Sequence, residues 1–270
     1  MLELWKAIII GIVEGLTEFL PVSSTGHMIL VGDLIKFEGE KASTFEIVIQ
    51  FGAILSVVVL YWKRVLRLFG IQDAETRLKP GPKLNLIHIL IGIVPAMAMG
   101  FFLHKYIKML FMPETVLLGL VLGGIFMIIG EKQRPAETAA DMDSITYKQA
   151  LFIGVAQILS LWPGFSRSGS TIAAGMLAGT SRGAAADFTF LMAIPIMAGA
   201  TGYDLLKSYK AFTTDDLLPF AVGFVVSFIV ALLAVASFIK LVSKLKLTYF
   251  SYYRFALAAV VLIYMLAVGF

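Results

Sequence analysis

Fourteen residues from Glu14 to His27, EGLTEFLPVSSTGH, set two carboxylates, Glu14 and Glu18, ahead of three consecutive hydroxyls, Ser23, Ser24 and Thr25, then Gly26 and the imidazole of His27. On a helix, acids four apart share one face and lie about 6 Å from each other. Two like charges repel strongly in a low-dielectric setting unless a cation sits between them. A divalent ion such as Mg²⁺, which takes one or two carboxylates together with phosphate oxygens, would resolve the conflict. The competing reading is a pair of acids at a membrane surface. A Ser/Thr/Gly turn opening a helix presents unpaired N–H groups and a partial positive charge, which suits a phosphate. Ordinary N-capping needs only one such hydroxyl. In this cluster a serine or the histidine is a candidate nucleophile, with the imidazole or a glutamate as general base.

A second stretch, PGFSRSG from Pro163, repeats the hydroxyl pattern with a guanidinium in it. Arg167 between Ser166 and Ser168, followed by Gly169, is poised for bidentate phosphate binding. The alternative is an arginine that snorkels to the membrane interface. Glu46 and Gln50, four apart, extend the polar lining in the same reading. Met97, Met99, Met192 and Met197 read as core filler.

Such groups must be held by the elements around them, and those are overwhelmingly apolar. Hydrophobic residues make up 59% of the chain, charged residues 15%, and the mean hydropathy is +0.89. Soluble domains carry about 25% charged residues. An all-α, polytopic membrane protein follows, organised as one integral membrane domain over 1–270. Six stretches have the length and composition of spans: 44–62, 84–103, 114–130, 184–206, 217–239 and 252–270. The net charge of +4 lies in short loops between apolar runs, so nucleic-acid binding is excluded. The chain has no cysteine, hence neither disulfides nor thiolate chemistry. Lys6 precedes an apolar run as in a leader, but Glu14 and Glu18 interrupt it, so the segment reads as mature structure.

Two further apolar stretches, 4–20 and 147–162, end at a proline and a Ser/Gly-rich break before short apolar runs at 28–35 and 171–178. Both read as helix, broken loop, helix. A shift of 143 residues superimposes them without a gap, pairing Gly11 with Gly154, Thr17 with Ser160, Ser23 with Ser166, Ser24 with Arg167, Gly26 with Gly169 and Gly32 with Gly175. The chain therefore reads as a duplication, with halves of roughly 1–135 and 136–270. The basic loop 63–83 orients the spans with that loop inside, together with Lys132, Arg134, Lys240, Lys244 and Lys246, and with Lys79 inside but His104 and Tyr209 outside. This is consistent only if both broken segments are re-entrant, the first dipping in from outside and the second from inside. Six transmembrane helices plus two re-entrant broken helices in an inverted-topology repeat are the expected fold, with a site where the breaks meet near the midplane.

At EGLTEFLPVSSTGH and PGFSRSG the chain resembles the undecaprenyl pyrophosphate phosphatases of the bacitracin-resistance type, and the resemblance in length, hydropathy and motif order extends over essentially the whole chain. It implies a bacterial inner-membrane hydrolase that converts a polyprenyl diphosphate lipid to the monophosphate reused in cell-wall synthesis. It also implies a divalent cation, Mg²⁺ or Ca²⁺. Carried over by motif, Glu14, Glu18, Ser24, His27 and Arg167 form the catalytic set, with Glu14 and Glu18 as metal ligands. Ser23, Thr25, Gly26, Ser166, Ser168 and Gly169 surround the phosphates. The lipid tail would lie along the span surfaces among membrane lipids, with the site opening to the periplasmic side. A secondary transporter or lipid flippase, using the intramembrane acids as ion sites, is the rival class. Oligomeric state, a homo-oligomer included, is not legible in the sequence.

Overall fold

The structure, a computed structural model, describes residues 3–37, 39–71, 83–208 and 216–268. Its helices are α1 (Leu4–Thr17), α2 (Ser24–Leu34), α3 (Glu40–Leu60), α4 (Trp62–Leu68), α5 (Leu86–Met109), α6 (Pro113–Lys132), α7 (Tyr147–Ala156), α8 (Arg167–Leu177), α9 (Arg182–Ser208), α10 (Leu217–Val242) and α11 (Leu247–Val268). Short 3-10 turns occupy Met142–Ser144 and Gln157–Leu161. Among the described residues no strand is present beyond an isolated bridge between Ala139 and Thr180. A helix satisfies its own backbone groups, which is why apolar segments of this length adopt it in lipid.

Six helices are long and apolar enough to cross a membrane, with spans at Lys41–Leu60, Leu86–Ile107, Pro113–Lys132, Arg182–Tyr203, Leu217–Val242 and Leu247–Ala267. Each overlaps one of the six expected stretches. Lys79 and Tyr209 lie outside the described residues.

The two broken segments adopt the same local geometry. Shifted by 143 residues, the starts of α1 and α2 fall on the starts of α7 and α8, and the end of α2 falls on the end of α8. The helices after the breaks begin earlier than the apolar runs suggest, at Ser24 and Arg167, so Ser24, Thr25 and Ser168 stand in first helical turns. The residue before each carries a positive φ, 70° at Ser23 and 72° at Ser166. For a side chain with a Cβ this is an uncommon conformation that persists only where the surroundings impose it.

Paired glycines seat each broken arm on a span of the other half. A Cβ at Gly11 would stand 2.8 Å from the Gly223 carbonyl of α10, and one at Gly154 would stand 2.6 Å from the Gly92 carbonyl of α5. The ends of each arm also meet. Lys6 Nζ donates to the Lys36 carbonyl at 3.3 Å, and Gln149 Nε2, in the first turn of α7, donates to the Ala178 carbonyl at 2.9 Å.

Candidate active site

Helix α1 stops at Thr17, and the chain between it and α2 carries Glu18 into the space in front of the α8 N-terminus. There Ser24 Oγ donates to Glu18 Oε2 at 2.6 Å, and Arg167 Nη2 donates to Glu18 Oε1 at 3.1 Å. One carboxylate thus joins the hydroxyl of the first break to the guanidinium of the second. The Arg167 side chain is 14% exposed and lies over the Phe19 ring, 5.5 Å from its centroid. Its Nη1 is buried and has no hydrogen-bond partner among the described residues. Ser168 Oγ donates to the Leu20 carbonyl at 2.9 Å, a second tie between the breaks.

His27 is held at both nitrogens. Nδ1 lies 2.8 Å from the Ser23 carbonyl and Nε2 lies 2.7 Å from Tyr253 Oη, with the two rings stacked. A carbonyl only accepts, so Nδ1 carries the proton and Nε2 accepts from the tyrosine hydroxyl in the neutral ring. The group that touches Ser24 is Glu18, whereas His27 braces the start of α2 against α11.

A polar cavity of about 170 Å³ opens beside these groups, lined by Glu18, Ser23, Ser24, Thr25, Gln50, Ser160, Ser166 and Arg167 among others. Gly26, Ser168 and Gly169 stand outside this lining. Gly26 faces Leu120, Gly169 faces Met127, and Ser168 is spent on Leu20. A larger chamber of about 450 Å³ adjoins the first and shares Ser24, Thr25, Gln50 and Phe111 with it. Glu14 and Glu46 line this second space. The two acids of the EGLTE motif therefore occupy different environments: Glu18 is committed to Ser24 and Arg167, while Glu14 Oε1 is buried without a partner among the described residues.

That free oxygen bears on metal binding. Among the described residues no group of three or more His, Cys, Asp or Glu stands ready to hold a metal ion. One open carboxylate beside a phosphate-sized cavity fits a cation that arrives with, and is mostly ligated by, diphosphate oxygens.

The second break is moulded by α6 and by Arg254, which sequence reasoning passed over. Gly119 and Gly123 let the loop lie on the helix; a Cβ at Gly119 would stand 2.2 Å from the Pro163 carbonyl. Trp162 Nε1 donates to the Thr115 carbonyl at 2.8 Å. Arg254 is fully buried and donates to the carbonyls of Gly164 at 2.7 Å, Phe165 at 2.9 Å, Gly119 at 3.1 Å and Leu120 at 3.2 Å. An arginine inside an expected span was the legible signal, because an intramembrane charge is expensive unless it is used. Its positive charge, bound to carbonyls, lies behind the loop that presents Arg167 and favours an anion in front of it.

A family profile of the bacitracin resistance protein BacA matches residues 7–260 of this chain. The chain belongs to that family. The match includes both breaks and all the residues just described, from Glu14 to Arg254. Members of the BacA family are undecaprenyl pyrophosphate phosphatases, so the paired breaks, the polar cavity and the open guanidinium belong to a family whose substrate is a membrane lipid with a diphosphate head.

Proposed function

We propose that this chain hydrolyses undecaprenyl diphosphate to the monophosphate and inorganic phosphate in the bacterial inner membrane, sustaining cell-wall synthesis and bacitracin resistance. The observation that carries the reading is the Ser24–Glu18–Arg167 arrangement, which puts a nucleophile, a base and a phosphate-binding cation in contact across two breaks. The terminal phosphate enters the polar cavity toward Arg167 Nη1 and the first-turn amides of α2 and α8. Ser24 Oγ attacks the terminal phosphorus as its proton passes to Glu18. The bond from that phosphorus to the bridging oxygen breaks, and the lipid monophosphate leaves. Water then attacks the phosphoserine, giving phosphate and restoring the Ser24 hydroxyl with the proton held by Glu18. Arg167 and the cavity donors stabilise charge spread over the transferred group, where most catalysis of this reaction lies. His27, fixed by Ser23 and Tyr253, keeps the α2 N-terminus in register. A divalent cation bound by Glu14 and the diphosphate oxygens would neutralise charge on the phosphates.

The proposal includes two re-entrant arms in inverted orientation, with the site opening to the periplasm. The shared 143-residue register and the meeting of each arm's ends support it. A transporter is less well supported, because the family matched over residues 7–260 is one of undecaprenyl pyrophosphate phosphatases. Phosphate release from undecaprenyl diphosphate by the purified protein tests the reading. Ser24→Ala and Glu18→Gln are each expected to lower turnover at least ~100-fold; Ser24→Ala should leave the protein folded with little change in melting, whereas Glu18→Gln also lowers melting because it breaks the buried pair with Arg167. Near-normal turnover in Ser24→Ala would remove the serine as nucleophile.

A further inference from the structure

The duplicated arms differ in what surrounds them. Helix α8 is encased, with every residue from Ser168 to Met176 buried, whereas α2 buries only Gly26, Met28 and Gly32. The contrast is sharpest at one repeat-related pair. A Cβ at Gly175 would stand 2.7 Å from Ala185 Cβ and 2.9 Å from Thr180 Oγ1, whereas one at Gly32 would meet only the Phe37 carbonyl, at 3.5 Å. Where the second copy packs protein, the first borders the 450 Å³ chamber. Its wall is mixed: Glu14, Glu46, Gln50 and the bonded Asp33–Tyr264 pair are polar, while Met28, Ile29 and Leu30 of α2 and Val261 and Met265 of α11 form an apolar stretch.

Phe111, in the link between α5 and α6, is the apolar residue among the four that line both spaces. It is 60% exposed and flanked by exposed Met109 and Met112. Thr115 Oγ1 holds that link, donating to the Leu110 and Met112 carbonyls.

We infer that the chamber beside α2 seats the first isoprene units of the substrate lipid, with Phe111 at the boundary between tail and diphosphate, so that Gly32 and Phe111 set tail specificity. The inference rests on the phosphatase reading. It follows from continuity: a group whose terminal phosphate sits in the polar cavity against Ser24 has its inner phosphate at the shared polar residues Ser24, Thr25 and Gln50, near Glu14, and its first hydrocarbon units past Phe111 in the chamber. Hydrocarbon moving from bilayer to protein gains little from the hydrophobic effect, since lipid tails are already apolar. Recognition must then come from shape, and a glycine facing open space leaves that shape to the ligand.

The test compares kcat/KM for undecaprenyl diphosphate and dimethylallyl diphosphate in wild type, Gly32→Leu and Phe111→Ala, with thermal melting as the folding control. Gly32→Leu places a branched side chain in the chamber and is expected to lower the ratio of long-tail to short-tail efficiency at least 10-fold. Phe111→Ala, at an exposed position with little bearing on folding, is expected to shift the same ratio about 3- to 10-fold. Equal losses on both substrates in both variants, or an unchanged ratio in both, would overturn the assignment. If Gly32→Leu does not fold, the Phe111→Ala ratio decides alone. If wild type releases phosphate from neither substrate, the phosphatase reading fails and this inference falls with it. Activity with an unmoved ratio refutes the inference alone.

Discussion

Ser24 and Arg167 stand at matching positions under the 143-residue shift, and in the proposed reaction that difference makes the two breaks complementary: a hydroxyl to attack in one, a cation to bind in the other. Glu18 joins them. The composition of both motifs was legible in the sequence, but the pairing was not. Helical spacing predicted that Glu14 and Glu18 share a face, and Glu18, the C-cap of α1, keeps helical backbone angles with its amide on the Glu14 carbonyl at 3.0 Å; what spacing does not give is the partner each acid finds. The cation against Glu18 is Arg167, supplied from 149 positions along the chain. This arrangement gives Arg167 a divided role, one nitrogen on Glu18 and Nη1 open. Arg167→Lys retains a point charge but loses the planar fork that serves both partners. At saturating Mg²⁺ the expected cost in kcat/KM is ~2 to 4 kcal/mol, roughly 30- to 1000-fold, for both Arg167→Lys and Arg167→Ala. If Lys restores most of what Ala loses, charge alone suffices. If neither matters in folded protein, Arg167 lies outside the chemistry.

Elements were read more accurately than contacts. Six apolar stretches became six helices of membrane-spanning length because length and hydropathy decide that outcome locally. The stretch 147–162 instead divides into α7 and a 3-10 turn, which the apolar pattern does not distinguish from continuous helix. The role of α6 was also not evident, since its glycines read as ordinary membrane-helix residues. In the structure they form the bed for the Arg167 loop. Gly119→Ala, with its methyl 2.2 Å from the Pro163 carbonyl, must displace that loop. It is expected to destabilise by ~1 to 3 kcal/mol and to lower phosphate release about 10-fold or more, although Gly119 touches no substrate. Gly199 of α9 is the control, because nothing lies within 4 Å of a Cβ there. Gly199→Ala should leave melting and turnover at wild-type values. A silent Gly119→Ala would mean that the loop tolerates displacement and that its moulding by α6 is not needed for catalysis.

At the scale of the molecule, the two broken arms must face each other across the membrane. Ionic contacts gather helix ends into two sets. Arg64 bonds Asp143 at 2.6 Å, and Arg182 bonds Glu131 and the Ser243 carbonyl. Lys41 bonds Asp216 at 2.7 Å at the other end of α3, where α10 begins. Basic loops favour the cytoplasm, so in the proposed topology the Arg64 set lies inside. On that assignment the first arm starts and ends outside and the second starts and ends inside. Their breaks then meet within the membrane, where non-helical backbone persists only if protein or a water-filled cavity surrounds it. A chain without native cysteine makes the test direct. Single Lys36→Cys, His104→Cys, Glu137→Cys and Lys244→Cys variants are treated with a membrane-impermeant maleimide, before and after permeabilisation. Positions 36 and 104 should label in intact cells, and 137 and 244 only after permeabilisation. All four residues are exposed, so accessibility is decided by side rather than burial. Labelling of 36 and 137 from the same side would give the two arms a common orientation. Ser24 and Arg167 would then approach from one face, and the inverted arrangement would be wrong even if both residues proved essential.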